Sequence, residues 1–187
     1  MRAASDPAVP RGLALVAAFV NTNDREAGRD ALATPAALAA WLRERGLLAG
    51  GGAADAPALA LATEVREALR GLLLVNAGAP PDPRAAAVLD AAAERAALRP
   101  RFGPAGDARL EPAGTGVDAA VGRIVAAAAG AMHDGTWGRL KACAEDGCRW
   151  AFYDASRNQS GRWCSMAVCG NRAKNRRAYL RRQPGAA

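Results

Sequence analysis

Aromatic residues make up only 5% of this 187-residue chain, and histidine occurs once. With so few rings, a core has to come from leucine, valine and close helix packing over alanine, which supplies 50 residues. Alanine loses least on entering a helix, so the composition favours helices. Long apolar runs are also lacking. Residues 13–20 and 124–132 stay under the roughly 18 residues that a membrane span needs. The 20 glycines and 11 prolines follow no period, which disfavours collagen-like and largely disordered chains. No paired-glycine phosphate loop precedes a helix. Nothing in the first 138 residues groups a nucleophile, a base and an orienting residue, so no enzyme activity is expected.

Acidic charge thins toward the C-terminus. From Arg139 onward, 11 Arg and Lys face Glu145, Asp146 and Asp154, a net of +8, whereas the first 138 residues hold 14 basic and 15 acidic groups. A near-neutral body with a basic tail points to an anionic partner, nucleic acid ahead of a membrane surface; a solvated basic helix end is the competing reading. Arg2 and Arg11 precede the apolar residues 13–20 as in a secretory signal. The run is short, however, Asp6 and two prolines interrupt the basic region, and Asn21-Thr22-Asn23-Asp24 stands where small residues should guide cleavage. A cytoplasmic location is expected.

The body divides into helices with clear stops. Residues 13–20 fit a short helix or a buried strand equally well. Thr34-Pro35 is a cap followed by a proline where no donor is needed; Leu38, Trp41 and Leu42 recur at helical spacing, and Gly46 supplies the stop. A second helix is predicted over about 58–76, with Leu61, Val65, Leu69, Leu72 and Leu73 on one side. Pro80-Pro81 breaks it, and Asp82-Pro83 opens a third. Arg101-Phe102 and Arg109-Leu110 suggest a small hairpin around residues 103–106. An alanine-dense helix over about 117–133 ends at His133, a ligand or general base on one reading and a dipole-compensating surface residue on the other.

All four cysteines fall within 27 residues: Cys143, Cys148, Cys164 and Cys169. Two C-x4-C pairs separated by a mid-length loop present four sulfurs to one tetrahedral zinc ion; two disulfides are the alternative, unusual in a chain without an export signal. Four thiolates leave no open position, so this zinc is structural. Between the pairs, Trp150, Phe152 and Trp163 alternate with polar residues, which predicts a hairpin of 149–153 with 162–164. A helix should follow over about 166–183, with Ser165 as cap and Pro184-Gly185 as stop. The expected fold is mainly α: a helical N-terminal domain (1–138), then a small treble-clef-like four-cysteine finger (139–187) of β-hairpin plus C-terminal helix.

At about 100° per residue, Lys174, Arg177 and Arg181 share one face of that last helix, an exposed stripe suited to a phosphate backbone. Arg172 and Arg176 lie on the cysteine side, where they neutralise the negative zinc–thiolate centre or pair with Asp154. In the body, Asn21 and Arg66 stand beside strongly apolar stretches. They either line a small-molecule pocket or cap helices and form a buried pair.

The run Cys164-Ser165-Met166-Ala167-Val168-Cys169-Gly170-Asn171-Arg172-Ala173-Lys174, preceded by Phe152-Tyr153-Asp154 and Ser156-Arg157-Asn158, resembles the CGNR zinc-finger family over about residues 140–182. The body resembles the ABATE domain through Phe19-Val20-Asn21-Thr22, through Leu38, Trp41 and Leu42 with Gly46-Leu47-Leu48, and through Val65-Arg66-Glu67-Ala68-Leu69. The resemblance implies a bacterial, stress-induced transcription regulator with one structural zinc, Asn171 and Arg172 in the motif beside it, and duplex DNA as partner. A small-molecule effector and a homodimer through the helical body fit the same picture. Many members of the family carry paired arginines before the Trp-Cys pair, whereas this chain has Gly161-Arg162 and so one potential phosphate contact fewer. A zinc-stapled protein–protein interaction module is the alternative, as is an RNA binder stacking bases on Trp150, Phe152, Tyr153 and Trp163.

Overall fold

The computed structural model describes residues 9–182. The first apolar run is a helix, α1 (Arg11–Val20), with Leu13, Val16, Phe19 and Val20 buried at three- and four-residue spacing. A short ladder follows, β1 (Asn23–Asp24) against β2 (Arg29–Asp30), and Gly28 adopts φ +62° in its turn.

The next three helices, α2 (Pro35–Glu44), α3 (Ala56–Asn76) and α4 (Pro83–Arg95), begin with one device. The side chains of Thr34, Asp55 and Asp82 accept the amides of Ala37, Ala58 and Arg84 at 3.1, 2.8 and 2.9 Å, and a proline occupies the first turn each time. The second of these helices starts two residues before its predicted position, because Asp55 caps it with Pro57 inside the first turn. The expected hairpin is there and longer: β3 (Leu98–Phe102) pairs with β4 (Ala108–Pro112), Leu98 facing Pro112.

The alanine-dense helix α5 (Gly116–His133) packs against α1 and α4, and α3 packs against α4. A Cβ at Gly122 would collide with that of Ala96, so the glycine sets how closely α5 approaches the end of α4. Small residues thus substitute for bulk in this core. The chief aromatic contact is Phe19 against Trp41, with ring centroids 5.5 Å apart.

The finger's hairpin differs from the expected one. Strand β5 (Leu140–Ala142) pairs with β6 (Ala151–Tyr153), and the first cysteine pair forms the hairpin's tip. The returning segment at 162–164 is no partner of β6; the carbonyl of Arg162 instead accepts the Ala144 amide at 2.9 Å, beside the tip. A C-x4-C turn already closes a hairpin between its own flanks, so the later segment is free to bring in the other two sulfurs. Residues Met166–Gly170 form a wide π-type turn that leads into α6 (Asn171–Arg182). Ser165 sits at the capping position with no side-chain cap bond. The predicted Pro184-Gly185 stop lies outside the described residues.

This hairpin is rooted in the body. Leu140, Ala142 and Ala151 are buried in the same apolar cluster as the helices, β5 lying on α3 and β6 on α1. One core therefore runs through the 138/139 junction.

Candidate zinc centre and basic helix

The four cysteine sulfurs lie within 4.8 Å of one another, with Sγ separations of 3.6 Å for Cys148–Cys164 and 3.8 Å for Cys164–Cys169. A tetrahedral zinc with bonds of about 2.3 Å holds its sulfurs roughly 3.8 Å apart, so the cage has the right size. No disulfide joins any of the four. Cys143, Cys148 and Cys169 are buried, and Trp150 and Trp163 pack around them. Sulfur contacts from Cys143 and Cys148, together with burial, push the Cys164 thiol up. Burial and the neighbouring Cys143 push Cys169 up to about 12. A closed set of four soft sulfur donors at this separation selects zinc. These residues hold one structural zinc ion.

Local backbone explains the cage. The amides of Cys148 and Arg149 both donate to the carbonyl of Glu145, and Arg149 takes φ +53° to close the turn, while the Cys143 amide donates to the carbonyl of Trp150 at 2.9 Å. The wide turn at 166–170 then presents Cys169 from the start of the helical segment.

Asp154 and its partners brace the other side. Buried Lys141 donates from Nζ to Asp154 Oδ2 at 2.8 Å and to the carbonyls of Gln159 and Gly161. Asp154 also accepts the amides of Ser156 and Gly161. Burial alone would raise its pKa, but the Lys141 ammonium and these donors hold the carboxyl well below the usual carboxylate range. The partner of Asp154 is thus Lys141, where the sequence suggested Arg172 or Arg176: β5 and β6 are paired, and they place Lys141 and Asp154 on adjoining backbone. Gly161 has a physical reason as well, since a Cβ there would come within 2.8 Å of Asp154 Oδ2.

Arg172 pairs with Glu26 of the body at 2.6 Å, and Arg176 pairs with Glu145, whose carboxylate is buried beside the cysteine turn. Asn171 Nδ2 donates to the carbonyl of Ala167, bracing the wide turn. Lys174 and Arg181 are exposed on α6, and neither has an ion-pair partner among the described residues. Arg177 is on the same helix, but its side chain lies outside the described residues.

Asn21 and Arg66 are engaged within the protein. Asn21 donates to the carbonyl of Ala151 at 2.9 Å and accepts its amide at 2.7 Å, pairing with β6 as a strand would. Arg66, 1% exposed, grips Asp30 with two nitrogens at 2.7 and 2.8 Å and reaches Thr22 Oγ1 and Glu67. His133 is exposed in the last turn of α5, and the four cysteines are the metal-ligating cluster found among the described residues.

Two residues that tie the body to the finger, Arg70 and Asn76, carry no sequence expectation. Buried Arg70 donates to Glu67, to the carbonyls of Val20 and Asn23, and to the carbonyl of Arg149 in the cysteine turn. Asn76, at the end of α3, donates to the carbonyls of Trp137 and Leu140. One signal was available: Arg66 and Arg70 are one turn apart and adjoin Val65 and Leu69, so two arginines enter the apolar face of a helix.

Two family models match the chain. Residues 13–135 match ABATE, described as a putative stress-induced transcription regulator, and residues 139–182 match the CGNR zinc finger. Among curated proteins, none matches the chain. Neither matched family is an enzyme family. With the first model spanning most of its length and the four-sulfur cage lying in the second, this chain belongs to the ABATE family and carries a CGNR zinc finger.

Proposed function

We propose that this protein is a non-enzymatic, cytoplasmic regulator whose zinc finger docks on duplex DNA through α6. Two modules meeting at residues 138/139 divide the work. The finger contacts the phosphate backbone, and the helical body responds to stress and supports dimerisation. The single observation behind the DNA contact is the contrast along α6. Arg172 and Arg176 are held by Glu26 and Glu145, while Lys174 and Arg181, seven residues apart on one helix face, project into solvent unpaired among the described residues. Unpaired cations on a metal-anchored helix suit a polyanion, because the helix is already formed and no internal ion pair has to be broken on binding. No helix among the described residues is long and apolar enough to cross a membrane.

Duplex binding by zinc-loaded protein, measured against salt, tests this reading. Contacts from Lys174, Arg177 and Arg181 should give a log–log slope of about −2.7. The triple glutamine variant should bind at least tenfold more weakly at low salt. Absence of binding, or binding that ignores salt, overturns it.

A further inference from the structure

The finger leaves apolar surface uncovered where its charge is highest. Met166 is 67% exposed and Val168 38% exposed, both in the wide turn that precedes α6. Met166 does not stand alone. Its thioether lies over Gly170, where a Cβ would come within 2.8 Å of the methionine Cε and 3.4 Å of the Trp163 ring. Trp163 itself packs against the cysteine cluster, so the floor is anchored to the zinc cage.

Trp163, Met166 and Gly170 line a cleft of about 210 Å³ together with Asn171, Lys174 and Arg181. Its floor is the Trp163 ring and the Met166 thioether, which rests on Gly170. Its rim carries the two cations of α6 that have no ion-pair partner among the described residues. A ligand matching both parts has a flat apolar face and a nearby negative charge. A nucleotide has that construction, with its base against the floor and its phosphates on the rim.

Resting on the DNA reading above, we infer that this cleft receives the exposed face of one nucleobase, with Met166 and Trp163 as the stacking floor and Lys174 and Arg181 on the adjoining phosphates. In an intact duplex both faces of every base are already stacked. The finger therefore favours DNA in which one base is unpaired or one step is opened.

The test compares two duplexes of one sequence, one intact and one with a single unpaired extra adenine, each titrated with the zinc-loaded full chain. The bulged duplex should bind about tenfold more tightly, in keeping with one stacked base. Met166→Ser, at an exposed position, should abolish that preference and leave the salt slope unchanged. Lys174→Gln should keep the preference and make the slope shallower by about 0.9. Equal affinity for the two duplexes, or a preference that survives Met166→Ser, overturns the assignment of the cleft and leaves the DNA reading in place. Failure to bind either duplex overturns both.

Discussion

Arg70 Nη1 donates to the carbonyl oxygen of Arg149 across 2.7 Å, joining the middle of α3 to the turn that carries two of the zinc ligands. Arg70 is 2% exposed, so this contact lies in the interior of the molecule. Arg70→Met keeps most of the volume but removes donors from Glu67 and from the carbonyls of Val20 and Arg149. Glu67 retains Arg25 and Arg66, which places the expected loss near the lower end for a broken buried pair, about 3 kcal/mol. The denaturant midpoint of zinc-loaded protein measures it; a change under about 0.5 kcal/mol would show the contact to be incidental.

Zinc removal should weaken the whole chain. Loss of the cage frees the tip of a hairpin whose base, Leu140, Ala142 and Ala151, belongs to the main core. A loss of about 3 kcal/mol corresponds to a fall in Tm on the order of 10 °C for a chain of this size. Unfolding followed by helix content and by tryptophan emission should shift together on chelation. A body transition indifferent to chelator would contradict the shared core. Metal analysis of the purified protein should give one zinc per chain.

Acid sensitivity should arise in the body as well as at the thiolates. Burial tends to raise the pKa of Asp30, but hydrogen bonds from Arg66 and the Leu32 amide more than offset it and leave the folded value lowered. Glu67 is lowered in the same way, burial being outweighed by Arg70 and Arg66. Because both folded values lie below the unfolded ones, their stabilisation is complete above the ordinary carboxylate range near pH 4. It is lost as the pH falls through the lowered folded values. Asp30→Asn should reduce stability at pH 7 and flatten the decline of stability below about pH 4. An unchanged acid limb would show that Asp30 takes no part in it.

The contact between Glu26 and Arg172 restrains a cation on the proposed DNA-binding helix. Glu26→Gln removes the competing carboxylate and frees Arg172 for phosphate. Duplex affinity should rise severalfold at low salt, and the salt slope should steepen by about 0.9. Weaker binding in this variant would mean that the ion pair positions the finger for DNA and does not hold it back.

Much of this molecule was legible because its signals are local. A cap followed directly by proline depends on adjacent residues, and Thr34 and Asp82 mark two helix starts in that way; at Asp55 the proline stands one residue further on, and that helix begins ahead of its expected position. The cysteine cage was equally visible, since spacing and donor type together specify the metal. Pairings between distant segments were hidden. Nothing local tells Lys141 to seek Asp154, or Asn21 to bond the backbone of Ala151 130 residues away. The finger's hairpin departs from its sequence expectation for a related reason. Alternation of Trp150 and Phe152 identifies an extended segment, but the choice of partner strand is made by the turn, and here the turn is the first cysteine pair.

The hairpin's rooting in the helical core limits how this finger can be used outside its own chain. Cutting at 138/139 would leave Leu140, Ala142 and Ala151 facing water and would strip Ala151 of its Asn21 partner. A zinc knuckle of this kind is not a portable cassette that can be grafted onto another scaffold with its geometry intact. The same packing ties metal uptake to the state of the body, since the hairpin that carries the first cysteine pair is buried against its helices.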